Sequence, residues 1–389
     1  MQVLAPLPPV ESRPPFLERM GIWYLRALSR RVSRREDNDP VHELNAAERA
    51  ELRRIQRAAI GRACIAGALS TVVSAVAEVL VTPAEHTTLV DAPSGLLFWG
   101  VVGGATAIAS IVEILYLYWD GLRAVHGLAT AAGLDLFPGG DAGQAIASAM
   151  ARAALELPNP PGQLHGIDPR REASKTRLIF ISLIYKLKVS VTNFVVKALV
   201  RRILGRAVVR TWLPFVAVPV TAIWNGVVCW FILREARIRA MGASAAQEMI
   251  GQLAGPGALP TTPAQHEAAL RAVAATIVRT VDMHPNLLAV LAAVRRTFSI
   301  EGATATALDD TAEFLSCLQA LPPDAQPLVL RVLGIAAVID GRMTGAERAL
   351  WRQAQLATGR TPDDRALRAL LRAFVQGDRI PARLIERLA

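Results

Sequence analysis

Lysine is nearly missing. Of 43 basic residues only Lys175, Lys186, Lys188 and Lys197 are lysines, and all four fall in one short stretch. Aromatic residues are scarce as well, at 5%. The alternation of rings and cations that grips single-stranded nucleic acid is therefore absent. The net charge of +10 then points to acidic lipid, with no nucleic-acid partner expected. The three cysteines, Cys64, Cys229 and Cys317, form no CxxC pair, so free thiols and no disulfide framework are expected. The first twenty residues lack the apolar core of a cleavable signal. No GxGxxG, P-loop, HExxH, GxSxG or EF-hand pattern occurs, and the six histidines are scattered. No nucleophile stands beside a recognisable base, so no catalytic residue and no cofactor is assigned, and a non-enzyme is expected.

Apolar sequence is plentiful: the hydrophobic fraction is 52% and the mean hydropathy +0.32. Two long runs, 63–81 and 95–119, are separated by an acidic loop. The first would rise roughly 28 Å as a helix, close to the hydrocarbon thickness of a bilayer. Arg49, Arg53, Arg54, Arg57 and Arg62 precede the first run and Arg123 follows the second, while the loop 82–94 carries Glu85 and Asp91 and no base. The positive-inside rule makes this a transmembrane hairpin with both termini cytoplasmic. Phe98 and Trp99 at one interface, and Tyr116, Tyr118 and Trp119 at the other, fit aromatic belts. The alternative is a buried helix pair in a large soluble domain.

Small residues recur at helical spacing. Ala66, Ser70 and Ser74 lead to Glu78, and Gly100 with Gly104 forms a GxxxG, a route to a homo-oligomer. Glu78 and Glu113 are the intramembrane carboxylates, at different depths and so not partners of each other. They read either as structural groups or as parts of a proton or ion pathway.

The rest of the chain divides into 1–44, 45–132, 133–254 and 264–389, all helical. Residues 16–35 form a basic amphipathic helix, lying on an acidic leaflet or packed on a neighbour. Asn45 with Glu48 makes a capping box for a helix running unbroken into the first apolar run. Gly133 stops the second. The loop 158–171 is expected on the inner membrane face. Lys175, Lys186 and Lys197, eleven apart, fall within roughly 40° of one another on a helix, a ridge suited to anionic phospholipid or simply a solvated charge row. The uncharged run 211–233 could span, but arginines flank both ends and Pro214 and Pro219 interrupt it. A re-entrant or interfacial hairpin, or a helix buried against the first hairpin, is preferred, with Asn225 as an interhelical hydrogen-bonding residue.

The stretch 175–242, with WLPFVAVPVTAIWN at 212–225 and REARIRAMG at 234–242, resembles the EcsC-like group of bacterial proteins. Val216, Ala217 and Val218 stand where that pattern commonly has a glycine. The resemblance covers roughly 45–242 and implies membrane association without an agreed activity. From 264 on, soluble helices are expected at 264–281, 285–298, 308–320, 327–339, 346–358, 363–376 and 381–388. The segment 336–351 resembles the TerB-like helical domain of tellurite-resistance proteins through Asp340, Gly341 and Glu347. That resemblance implies a divalent-cation site at Asp340 and Glu347. Read from the residues alone, Gly341 ends one helix and Thr344 with Glu347 caps the next.

The expectation is an all-α chain: a membrane hairpin, a basic EcsC-like membrane-associated region and a soluble C-terminal helical bundle that binds a protein partner. The functional classes left open are a membrane-anchored adaptor, an ion- or proton-translocating component using Glu78, Glu113 and Asn225, and a lipid-acting enzyme.

Overall fold

The structure is a computed structural model, and it describes residues 14–30, 40–81, 96–138, 141–159, 166–174, 213–255, 261–300 and 308–389. Among them there are twelve α-helices and no strand. They are α1 (Phe16–Ser29), α2 (Ala46–Val81), α3 (Leu96–Ala131), α4 (Asp141–Ala154), α5 (Leu213–Leu253), α6 (Pro263–Thr280), α7 (Pro285–Thr297), α8 (Thr311–Ala320), α9 (Gln326–Ala336), α10 (Gly345–Ala357), α11 (Arg365–Gln376) and α12 (Ala382–Glu386).

Three helices, α2, α3 and α5, are long and apolar enough to cross a membrane. They pack side by side, α3 and α5 both antiparallel to α2. Thr71 of α2 meets Thr221 of α5, and four to seven residues earlier on α2, Gly67 and Cys64 meet Asn225 and Gly226. On the other side Arg62 of α2 bonds Asp120 of α3 at 2.8 Å. The outward faces are greasy. Leu69, Val73 and Leu80 on α2, Ile108, Val112 and Leu115 on α3, and Ile223, Trp224 and Phe231 on α5 are all exposed. Leu80 is 79% and Ile223 66% exposed. A water-facing surface would not hold so wide an apolar band on three adjoining helices, whereas hydrocarbon is its natural solvent. Below the Arg62–Asp120 bond the exterior turns charged.

Helix α2 begins where the sequence places it: Asn45 Oδ1 accepts from the Glu48 N–H, and Glu48 Oε2 accepts from the Asn45 N–H, each at 2.9 Å. It continues as one helix through both its basic and its apolar halves. Gly133, at φ +75°, ends the segment beyond α3.

Of the alternatives preferred for 211–233, the helix packed against the first hairpin is the one found from Leu213 on, and the re-entrant or interfacial hairpin is not. The segment from Leu213 runs without break to Leu253 and packs along the first hairpin. Pro219, inside the helix, removes a single bond on an exposed side. The arginines that argued against a crossing are partly taken up by protein. Arg234 Nη2 donates to Gly341 O at 2.6 Å, Arg237 Nη2 to Val375 O at 2.7 Å, and Arg239 Nη1 to Ala149 O at 2.9 Å.

Helix α1 does not lie free on a surface. Its Glu18, Gly21 and Leu25 are buried against α4 and α3, and Glu18 takes an ion pair from the buried Arg152. Phe16 and Trp23 remain exposed. The described ends of the loop 158–171 meet the C-terminal part: Asn159 donates to Asp282 at 2.8 Å, and Arg171 pairs with Asp309, while 160–165 lie outside the described residues.

The C-terminal part is built around α6. Its run from Ala268 to Val278 is buried on every side, because alanines there let neighbouring helices approach closely. Arg271, 1% exposed, is matched by Glu267 at 2.9 Å and Glu313 at 3.1 Å. Thr262 and Gln265 form a capping box, His284 caps α7, and Asp310 caps α8. The lower half of α5 inserts between α4 and α7, so one continuous apolar core runs from Leu25 to Leu388.

Candidate functional site

The most concentrated polar chemistry outside water lies where α2, α3 and α5 meet. Gly67 supplies the room. A Cβ there would stand 2.6 Å from Asn225 Nδ2 and 2.9 Å from the Thr221 carbonyl. With no Cβ, α5 comes close enough for Thr71 and Thr221 hydroxyls to share a bond of 2.6 Å. The hydroxyl that accepts this bond keeps its own proton for its own helix, Thr71 to Gly67 O at 2.8 Å or Thr221 to Ala217 O at 3.0 Å. Asn225 then reaches across to α3, where its Nδ2 donates to Glu113 Oε1 at 2.6 Å. Glu113 is 3% and Asn225 4% exposed. A carboxylate placed among apolar helices is costly, and a hydrogen-bond donor aimed at it recovers part of that cost.

Of the residues singled out in the sequence, Glu113 and Asn225 come together as an interhelical pair. Asn225 fills the role expected of it, while Glu113 turns inward rather than toward an interface. Glu78 is half-buried further along α2. Ser70 and Ser74 are buried, but the closest approach belongs to Gly67 and Thr71, one position along. A row of Gly67 and Thr71, also four apart, was the signal in the sequence. Gly100 and Gly104 take no part in this packing, since a Cβ on either would meet nothing within 4 Å. Lys175, Lys186 and Lys197 lie outside the described residues.

The second cluster is in the C-terminal part. Gly341, at φ +74°, closes the turn after Asp340. Thr344 and Glu347 form a complete capping box, with Thr344 N donating to Glu347 Oε2 at 2.7 Å. Asp340 takes the backbone N–H and Nε of Arg342 at 3.0 and 3.2 Å. Both carboxyls are almost fully buried. Burial, reinforced by the charge of Asp340, pushes Glu347 up to about 7. Burial also raises Asp340, against the pull of His284 and Arg342. Nearby, burial opposes the charge of Glu235, but His284 at 3.0 Å and Arg239 at 2.9 Å outweigh it and hold that carboxyl below its ordinary range. No third ligating side chain joins Asp340 and Glu347 among the described residues. The arrangement there is a capped helix start with two carboxyls sharing a dry pocket.

The third cluster was not foreseen. His42 and Glu43, in the turn before α2, meet Glu248 of α5, and one donor atom from each lies within 4.8 Å of the others. Glu248 comes some two hundred positions later, so nothing local in the sequence announces the meeting.

No family model, no characterised protein and no solved structure matches the chain.

Proposed function

We propose that the chain is a non-enzymatic membrane-anchored adaptor at the cytoplasmic face of a bacterial inner membrane. Both termini are cytoplasmic in this reading, the basic stretch around Lys175, Lys186 and Lys197 contacts anionic phospholipid, and the C-terminal helices bind a protein partner. The observation that carries it is the continuity of α5. One helix bears lipid-suited Ile223, Trp224 and Phe231 at one end and buried Met241, Ala245 and Met249 in the common core at the other. An anchor joined by an unbroken rod to a helical docking unit suits a scaffold, because the unit is held at a fixed height and angle. The EcsC-like and TerB-like resemblances belong to the same reading and favour a bacterial membrane setting. Ser299, exposed and at positive φ after α7, offers the topology test. Ser299→Cys should resist a membrane-impermeant maleimide in intact cells and react, above the parent, in inverted vesicles. Labelling in intact cells overturns the orientation, and release of the protein by alkaline carbonate overturns the anchoring.

A second reading rests on the Glu113–Asn225 pair: a component that moves protons or cations across the membrane. A buried ionisable residue between spanning helices is the usual mark of such a pathway. Glu113→Gln keeps a partner for Asn225 and removes the charge. Flux in proteoliposomes that is abolished by this change supports transport; no flux in the parent, or flux unchanged, removes it.

A further inference from the structure

We infer that His42, Glu43 and Glu248 form a binding site for one divalent transition-metal ion of the Zn2+ class, joining the turn before α2 to α5. The turn is firmly held. Glu43 N donates to Pro40 O, and Leu44 N to Gly377 O, both at 2.9 Å, directly ahead of the Asn45–Glu48 box. His42 is 1% exposed. Its Nδ1 is bonded to the Ser244 hydroxyl at 3.0 Å, which fixes the ring and directs Nε2 at the cluster. That buried Nε2 has no hydrogen-bond partner and stands 3.3 Å from Glu248 Oε2.

The spacing suits an ion. Bonds of about 2.0–2.2 Å to a four-coordinate centre place two donor atoms roughly 3.4 Å apart. His42 Nε2 and Glu248 Oε2 already stand near that separation, and Glu43 is partly exposed and has room to close the remainder. Gln252 Nε2 donates to Glu248 Oε1 at 3.2 Å, orienting the carboxylate and leaving Oε2 toward the histidine. Such outer contacts are what hold metal ligands in place. Among the described residues Glu43 Oε1 pairs with the exposed Arg379 at 3.8 Å. Solvent reaches the partly exposed glutamates, so water completes the coordination.

One imidazole with two carboxylates selects against calcium and magnesium and toward Zn2+, Fe2+ or Mn2+. The competing occupant is a proton, giving a plain His42–Glu248 ion pair.

The test uses the tag-free full-length chain in detergent, stripped with EDTA and titrated with Zn2+, and with Co2+ as an optical probe. One equivalent of Zn2+ should bind, the thermal midpoint should rise with added Zn2+, and Co2+ should show d–d absorption. His42→Gln should abolish binding. Because a buried histidine can be needed for folding, Glu43→Gln, at a partly exposed side chain, supplies the second variant and should weaken binding about tenfold or more. Glu347→Gln should bind as the parent does. The absence of stoichiometric uptake by the parent overturns the inference, as does uptake unchanged in both Glu43→Gln and His42→Gln.

Discussion

Two glycines on the same helix should respond to alanine in opposite directions. Gly61 and Gly67 are both internal to α2. A Cβ at Gly61 meets nothing within 4 Å, so Gly61→Ala gains only helix propensity, about 0.8–1 kcal/mol. A Cβ at Gly67 arrives 2.6 Å from Asn225 Nδ2 and 2.9 Å from the Thr221 carbonyl oxygen. The amide can swing aside, but the carbonyl belongs to the backbone of α5, so the helices must part by several tenths of an ångström. That movement also stretches the 2.6 Å Thr71–Thr221 and Asn225–Glu113 bonds. Overpacking of this kind costs about 1–3 kcal/mol, and an interhelical bond in a membrane adds about 0.6 more. The propensity gain offsets part of this, leaving Gly67→Ala about 0.6–2.8 kcal/mol less stable than the parent. Thermal unfolding of the detergent-solubilised proteins, run in parallel, gives the order Gly61→Ala at or above the parent and Gly67→Ala below it. If Gly67→Ala melts at or above Gly61→Ala, α2 and α5 do not make the close contact, and the polar cluster built on it falls too.

A pH-dependent difference is expected at Glu347. Its carboxyl is raised to about 7 from an ordinary 4.5, so the folded state binds its proton more tightly, and stability falls as pH rises through that window. Two and a half units correspond to about 3 kcal/mol at most. Glu347→Gln should therefore gain on the parent by up to that amount between pH 5 and pH 8, and a difference in thermal midpoint that does not change with pH refutes it. Taking the difference removes the opposite slope from His42, whose lowered affinity costs stability as pH falls below 6.5. Gly377→Ala should destabilise by about 1–3 kcal/mol in denaturant titration, because φ is +71° and a Cβ would stand 2.6 Å from Leu44 Cδ1. Gly100→Ile with Gly104→Ile should leave the monomer melt intact, since no neighbour lies within 4 Å, and should abolish cross-linked dimers if the GxxxG row joins two copies.

What the sequence made legible follows from the range of the forces involved. Helix starts are written in adjacent residues, and Asn45–Glu48 and Thr344–Glu347 both form the boxes their spacing foretold. The apolar runs foretold α2 and α3, and Asn225 was correctly read as a hydrogen-bonding residue between helices. For 211–233 the helix against the first hairpin was among the preferred alternatives, and the re-entrant one came from counting arginines as if all stood in water. Arg234 and Arg237 end on carbonyls over a hundred positions away, and no local rule reveals such partners. The amphipathic pattern of α1 was right, but its periodicity could not say whether lipid or α4 covers the apolar side. His42 looked like a stray histidine because only Glu43 stands beside it in the sequence, and Glu248 comes some two hundred positions later.

The turn at Gly377 has a consequence for the order of assembly. Its carbonyl accepts both the Leu44 N–H and the guanidinium of Arg49, partners up to 333 positions upstream, at the root of the first long helix. When that helix leaves the ribosome its latch has not yet been translated. The helix must wait, with the Leu44 N–H and Arg49 Nη2 without this acceptor, until more than three hundred further residues have been made. Closure of the molecule is therefore a late step, and nascent chains arrested before the latch should be the forms most readily cleaved near residue 44.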